Sequence, residues 1–223
     1  MAAATREPDP DNAGVGMEKA KTAASPRRGD AVFFLGGHFM EHKSIRALCE
    51  GAVLVAAAQL LDYIKLWRMP WGGSVTLAMV PLVLYAVRWG LGRALVAGFA
   101  FGILQFLLGG GVSIGWQSIL GDYLLAYTAV GLAGVMRGKR GGVYGGTLLG
   151  SLGRFLVAWV VGATLWAEYM PETFFGMTMT SPWVYSLLYN LAFMLPNTAV
   201  ALAIFAALQK PLGRYFRGDD LNV

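Results

Sequence analysis

The sequence predicts an all-α, polytopic membrane protein with six transmembrane helices. Hydrophobic residues make up 56% of the 223 residues and charged residues only 14%, a balance far from that of soluble domains. The mean hydropathy is also positive. Six successive apolar runs approach the roughly 20 residues that a spanning helix needs, although the second and third are short. They cover residues 45–66, 74–87, 94–108, 118–136, 144–166 and 183–208.

The segments that flank these runs define the domain organisation. Residues 1–39 are polar, rich in Ala, Pro and Asp, and have no sustained apolar period, so we predict a disordered N-terminal tail there. The six-helix membrane domain is expected over residues 40–217, and a short C-terminal tail over residues 218–223.

Small residues recur every four positions in three of the runs, and this spacing lets helix backbones approach closely in lipid. Packing within the bundle accounts for the glycines at 98, 102, 142, 146 and 150. For Ala52 and Ala56, packing and docking to another membrane protein both account for the pattern.

Basic residues indicate the topology of the chain rather than a nucleic acid partner. Cytoplasmic loops carry an excess of Lys and Arg. Such residues follow the second, fourth and sixth runs: Arg88, Arg93, Arg137, Lys139, Arg140, Lys210, Arg214 and Arg217. Both termini are therefore predicted to lie on the cytoplasmic side of the plasma membrane, with Asp62, Lys65 and Arg68 in the first outer connection. Glu50 is expected to reach the cytoplasmic interface and to have no ligand role.

Several classes of chemistry are excluded by composition. The single cysteine, Cys49, and the two histidines, His38 and His42, cannot form a Cys/His metal cluster, and no histidine lies within a span to serve an intramembrane Ser/His pair. The stretch at 133–140 lacks the first glycine and the final Ser or Thr of a phosphate-binding loop. We therefore predict that the chain is not an enzyme and binds no cofactor and no metal. Any ATP hydrolysis that drives its function is expected in another subunit.

Asp122 is the most informative residue, because it is an acid inside the fourth apolar run. An ionisable residue in hydrocarbon is costly and indicates a functional site. With the termini inside, a rise of about 1.5 Å per residue places Asp122, Trp166, Tyr185 and Asn190 in the outer half of the bilayer. A carboxylate among aromatic faces is suited to an organic cation. The same spans supply three secondary candidates, Arg154, Trp159 and Tyr189.

Two interpretations are open for the main candidates. Asp122 either neutralises a cationic ligand or pairs with Arg154, which lies about 10 Å or more deeper by the same helical rise. Asn190 finds its hydrogen bonds on a neighbouring helix or on a polar ligand. Trp71 and Trp166 either contact the ligand or serve as interfacial anchors.

Several short segments follow one another in a characteristic order and spacing. They are LCEGA at 48–52 followed by Ala56, VPL at 80–82 followed by RWGL at 88–91, DYL at 122–124, GATLW at 162–166 and YSLLYN at 185–190. In this order the segments resemble the thiamin-specific S components of energy-coupling factor (ECF) transporters, and the similarity covers residues 48–216.

This resemblance implies an S-component-like bundle that binds thiamin, or a close analogue, from the extracellular side. It implies docking through Ala52 and Ala56 on a transmembrane coupling subunit that works with two ATPases. It also assigns ligand contacts to six residues: Asp122, Tyr123, Trp166, Tyr185, Asn190 and the outer-loop Trp71.

The sequence departs from the family pattern at three positions, and alternative ligands and functions therefore stay open. Asp122 is one methylene shorter than the family's glutamate, Ala158 stands where a histidine is expected, and Trp71 matches only within one position. The substitutions at Asp122 and Ala158 favour, as the first alternative, an S component for another vitamin or a thiamin precursor. A stand-alone secondary transporter and a structural membrane scaffold are the alternatives from other classes.

Overall fold

The computed structural model describes the backbone of residues 28–69 and 73–221, and the side chains of this part from residue 42 onward. The predicted tail is therefore outside the described residues up to residue 27, and so is Trp71. The chain divides into two units, Met1–Ser44 and Ile45–Val223. The contacts below belong to the second unit.

Six helices dominate the part of the chain that the structure describes, as the sequence predicts. They are α1 (Arg28–Tyr63), α2 (Met79–Trp89), α3 (Leu91–Leu108), α4 (Trp116–Met136), α5 (Gly142–Thr164) and α6 (Pro182–Arg217). Five of them are long and apolar enough to cross a membrane, whereas α2 has 11 residues. Short 3₁₀ turns follow α5 at Ala167–Tyr169 and α6 at Asp219–Leu221.

Two β-hairpins occupy connections between helices. Strands β1 (Trp67–Arg68) and β2 (Ser74–Val75) pair between α1 and α2, and β3 (Thr173–Phe174) and β4 (Met177–Thr178) pair between α5 and α6. The second apolar run, predicted as a span over 74–87, therefore begins as a strand. Its helix starts only at Met79, which places Pro81 in the first turn, where a proline is tolerated.

Helix α4 lies in backbone contact with its neighbours, and this confirms the packing role of the glycines. A Cβ added to Gly98 or Gly102 of α3 would lie 2.4 or 2.5 Å from a backbone oxygen of α4. On the α5 side, a Cβ on Gly150 would lie 2.8 Å from the Val130 oxygen. These close approaches fix the position of α4, which carries Asp122.

Arg88 lies in the last turn of α2, at the end away from the first hairpin, and its side chain is buried. Its guanidinium pairs with Glu50 and, at 2.9 Å, with Asp220, and it donates to the Tyr215 carbonyl. Glu50 is held in this cluster with a side chain only 13% exposed. Because an unpaired buried charge is costly, a buried guanidinium recruits both carboxylates, and Asp220 comes from the segment predicted as a tail.

Candidate ligand-binding site

A cavity of about 620 Å³ opens among α3, α4, α5, α6 and the first hairpin. This volume is within the usual range for small-molecule sites. Seven of the residues singled out from sequence line it: Asp122, Tyr123, Arg154, Trp166, Tyr185, Tyr189 and Asn190. The structure thus brings together side chains from three different spans.

Trp159 was a secondary candidate, and the structure places it elsewhere. It is not among the described residues that line the cavity. Its indole N–H donates to the Trp183 carbonyl at 3.0 Å, and the two rings meet edge to face with centroids 5.7 Å apart. On α5 the cavity is lined by Arg154, Ala158 and Gly162, which recur every four residues on one helical face, and Trp159 lies outside this face.

Asp122 is held in the cavity by neutral donors. It lies on a π-helical turn of α4, Ile119–Leu125, which changes the direction in which the following side chains point. The Trp166 indole nitrogen donates to Asp122 Oδ2 at 2.8 Å, and the Ser118 hydroxyl donates to the same oxygen at 3.3 Å. No hydrogen bond from the described residues reaches Oδ1. The carboxylate is therefore oriented without being neutralised.

Arg154 does not form the ion pair with Asp122 that the sequence left open. Its Nη2 donates to the Tyr127 hydroxyl at 3.0 Å, and its guanidinium carbon lies 4.3 Å from the centroid of the Tyr127 ring. Its Nε has no hydrogen-bond partner in the described part of the chain. Both charges thus remain available to the contents of the cavity.

One wall of the cavity is aromatic. The centroid of the Tyr185 ring lies 5.2 Å from that of Phe174 and 5.8 Å from that of Tyr189. The ring centroids of Tyr189 and Phe193 are 5.9 Å apart. Such rings present apolar faces with negative electrostatic potential, which attract cationic ligand groups.

Asn190 joins this wall to α5. Its Nδ2 donates to the Ser186 carbonyl at 2.9 Å and to the Ala158 carbonyl, on the neighbouring helix, at 3.4 Å. The donor side of the amide is therefore used within the bundle. Asn190 also lines the cavity, so the two interpretations of this residue are compatible.

The first hairpin lines part of the cavity and is bound to α6 by Asn197, which the sequence analysis missed, and by Tyr189. Buried Asn197 accepts a hydrogen bond from the Thr76 nitrogen at 2.9 Å and donates to the Ser74 carbonyl at 2.8 Å. The Tyr189 hydroxyl accepts from the Gly73 nitrogen at 3.1 Å. Seven residues separate Asn197 from Asn190, so a shared helical face was the available sequence signal.

A second missed group lies where α1 meets α3. Asp62, predicted in an outer connection, is only 2% exposed and pairs with Lys65. Gln105 of α3 donates to Asp62 Oδ2 at 2.9 Å. Lys65 and Gln105 both line the cavity. An amide in the last turn of an otherwise apolar run was the signal for Gln105.

Comparison with known proteins gives a consistent match. The sequence profile of the thiamine transporter protein family (Thia_YuaJ) matches residues 48–217. The thiamine transporter ThiT of Bacillus subtilis (strain 168) is 28% identical over 194 residues, covering 80% of this chain and 98% of the relative. A thiamine transporter ThiT of Lacticaseibacillus paracasei is 29% identical over 197 residues, covering 81% and 94%.

A solved structure shares the fold. The structure of ThiT from Listeria monocytogenes superposes with a TM-score of 0.68 at 24% identity, covering 78% of this chain and 98% of that one. At this level of identity the likeness concerns the fold, a helical membrane bundle.

Proposed function

This chain belongs to the thiamine transporter protein family, and we propose that it binds thiamin in the cavity described above and serves in thiamin uptake. The observation that carries the proposal is the family match over residues 48–217, a range that contains every cavity-lining residue. The protein is a multi-pass membrane transport protein and not an enzyme, since uptake requires no covalent step.

The charge and the shape of thiamin suit the cavity. Thiamin carries a permanent positive charge on its thiazolium ring, and Asp122 supplies the carboxylate that offsets it. Trp166, Tyr185 and Tyr189 supply aromatic faces for its two rings. The aminopyrimidine ring has both hydrogen-bond donors and hydrogen-bond acceptors. Polar groups on α5 and α6 are therefore suited to hydrogen-bond with it. We assign the ligand contacts to Asp122, Tyr123, Trp166, Tyr185 and Asn190.

The proposal extends to the role of an ECF S component. In that role the chain binds thiamin from the extracellular side and delivers it while docked on a transmembrane coupling subunit and two ATPases, with both of its termini in the cytoplasm. The resemblance motivates this assignment. The exposure of Ala52 and Ala56 on α1 supports it, because neither is covered by the rest of the bundle. Beside them, Leu48 is 72% exposed and Val53 is 68% exposed.

Ligand titration tests the binding proposal directly. Trp166 lies in the cavity, so saturable quenching of tryptophan fluorescence is expected when thiamin is added to the purified protein. The pyrimidine half of thiamin and an unrelated vitamin serve as comparison ligands. The absence of saturable thiamin binding would contradict the proposal.

A thiamin precursor or close analogue is the second candidate ligand. Ala158 lines the cavity at the position where the family resemblance leads us to expect a histidine, so the cavity has lost a ring and a hydrogen-bonding group there. Tighter binding of the pyrimidine half than of thiamin itself would favour this candidate. Uptake by vesicles that contain this chain alone would instead indicate a stand-alone transporter.

A further inference from the structure

Gln105 on α3 is a buried residue of the cavity wall that has one amide atom without a partner. It is 8% exposed and lines the cavity. None of the described residues donates a hydrogen bond to its Oε1. A buried acceptor without a partner is destabilising, and native proteins supply a partner from the chain, from water or from a ligand.

The orientation of this amide is fixed by Asp62. The Asp62 carboxylate is ion-paired with Lys65 and so is ionised, and an ionised carboxylate only accepts hydrogen bonds. The Gln105 atom that contacts Asp62 Oδ2 at 2.9 Å must therefore be the donor, Nε2. Oε1 is left as an acceptor that no group of the described residues uses.

Contacts between α3 and α4 give the level of Gln105 in the bundle. Gly98 and Gly102 approach the backbone oxygens of Tyr127 and Tyr123 respectively, so the two helices are antiparallel. Gln105 follows Gly102 by three residues, which is about 4.5 Å along the helix axis. This places Gln105 near the level of Asp122, where the ligand is expected.

We propose that Gln105 is a further ligand-binding residue, and that its Oε1 accepts a hydrogen bond from a neutral N–H or O–H group of the bound molecule. The inference rests on the proposed function. Thiamin has two such groups, the exocyclic amino group of the pyrimidine and the hydroxyl of the side chain on the thiazolium ring. Gln105 therefore selects for a part of the ligand that a simple organic cation lacks, whereas Asp122 selects for the charge.

The test compares Gln105→Met with a matched control, Gln59→Met. Methionine keeps the length of the side chain and removes both the acceptor and the donor to Asp62, and the comparison between thiamin and its analogues separates the two losses. Gln59 is also buried, at 5% exposure, and has no partner in the described residues for either amide atom, but it is not among those that line the cavity. The wild type and both variants are titrated with thiamin and with two analogues, one with a carbonyl oxygen in place of the amino group and one with hydrogen in place of the hydroxyl.

We expect Gln105→Met to bind thiamin about three- to tenfold more weakly, the usual effect of one hydrogen bond, and Gln59→Met to bind it like the wild type. For the analogue that lacks the donor, Gln105→Met should cause no loss. Unchanged thiamin affinity, or an equal loss for thiamin and both analogues, would overturn the inference. If Gln105→Met does not fold, Gln105→Asn, which retracts the amide by one methylene, is judged by the same criteria. Failure of the wild type to bind thiamin would instead contradict the proposed function.

Discussion

Buried charge is treated differently at the Arg88 cluster and at the cavity. The Arg88 cluster pairs one guanidinium with the carboxylates of Glu50 and Asp220, so the cation is compensated within the chain. In the cavity, the donors to Asp122 among the described residues are the neutral groups of Trp166 and Ser118, and Arg154 donates to the neutral hydroxyl of Tyr127.

The difference separates a structural cluster from a binding site. A charge whose partner comes from the same chain gains nothing from a ligand, and its role is to hold helices together. A charge that the chain orients but does not pair gains from an incoming ion. The Arg88 cluster ties α1, α2 and the segment after α6, whereas the cavity retains charges for a ligand.

The largest effect is expected for Ala56→Trp on the exposed face of α1. The indole would block close approach of a partner helix, so uptake in cells that contain the energising subunits should be lost while thiamin binding is kept. Val96→Trp is the control, because Val96 is a 69% exposed residue of another helix, α3. Uptake that survives Ala56→Trp would contradict the docking assignment, and loss of both uptake and binding would indicate misfolding.

Arg88→Met should give the largest loss of stability. Removing one partner from a buried ion pair costs about 3–5 kcal/mol, because the remaining charges stay buried. The free energy of unfolding, or the thermal unfolding midpoint in detergent, should fall, while the thiamin affinity of the folded fraction should be unchanged. Arg217→Met is the control, since the Arg217 side chain is 53% exposed in its pair with Asp219. Equal stability of the two variants would mean that the cluster is not structural.

Asp122→Asn should lower thiamin affinity and leave stability almost unchanged, which is the reverse of the effect expected for Arg88→Met. It keeps the size of the side chain and removes the charge, and interactions with a charged group are worth about 1.5–3 kcal/mol, so thiamin affinity should fall about 10- to 100-fold. The unfolding midpoint without ligand should change little, because no ion pair within the chain is broken. Titration by tryptophan fluorescence measures the first quantity and thermal unfolding the second. An unchanged affinity would remove Asp122 from the site.

Trp166→Phe should have the smallest effect of the four. Phenylalanine keeps an aromatic face but cannot donate to Asp122, so the carboxylate loses its closer hydrogen bond. We expect about three- to tenfold weaker thiamin binding, the usual effect of one hydrogen bond. Trp166→Ala removes the face as well and should bind still more weakly. If Phe and Ala are equivalent, the indole acts only through its N–H group.

Sequence reasoning identified residues that line the cavity better than it identified the contacts among them. Asp122, Tyr185 and Asn190 were selected because polar and aromatic groups within apolar spans stand out, and all three line the cavity. Trp159 was selected by the same criterion, but its ring turns toward Trp183. Helix rotation decides between these outcomes, and a run that is apolar on all sides carries little information about rotation.

Counting basic residues between the spans had a similar limit. Arg88 belonged to the set that predicts topology, but in the folded chain it is a buried cation between α1 and the segment after α6. Asp62 was assigned to an outer connection and instead lies buried beside Gln105. The Asp220 partner of Arg88 and the Gln105 donor to Asp62 both come from distant parts of the sequence, whereas the Lys65 partner of Asp62 is only three residues away.

The sequence alone determined the class of the protein, its six helices and the presence of an acid within the membrane, because hydropathy and the energetic cost of a buried charge can be evaluated along the chain. Only the tertiary structure decided which charges are paired, that a π-helical turn carries Asp122, and that the cavity-lining Gln105 has an Oε1 without a partner among the described residues. These outcomes depend on how neighbouring helices are rotated and how closely they approach, and that is set by contacts between residues far apart in sequence.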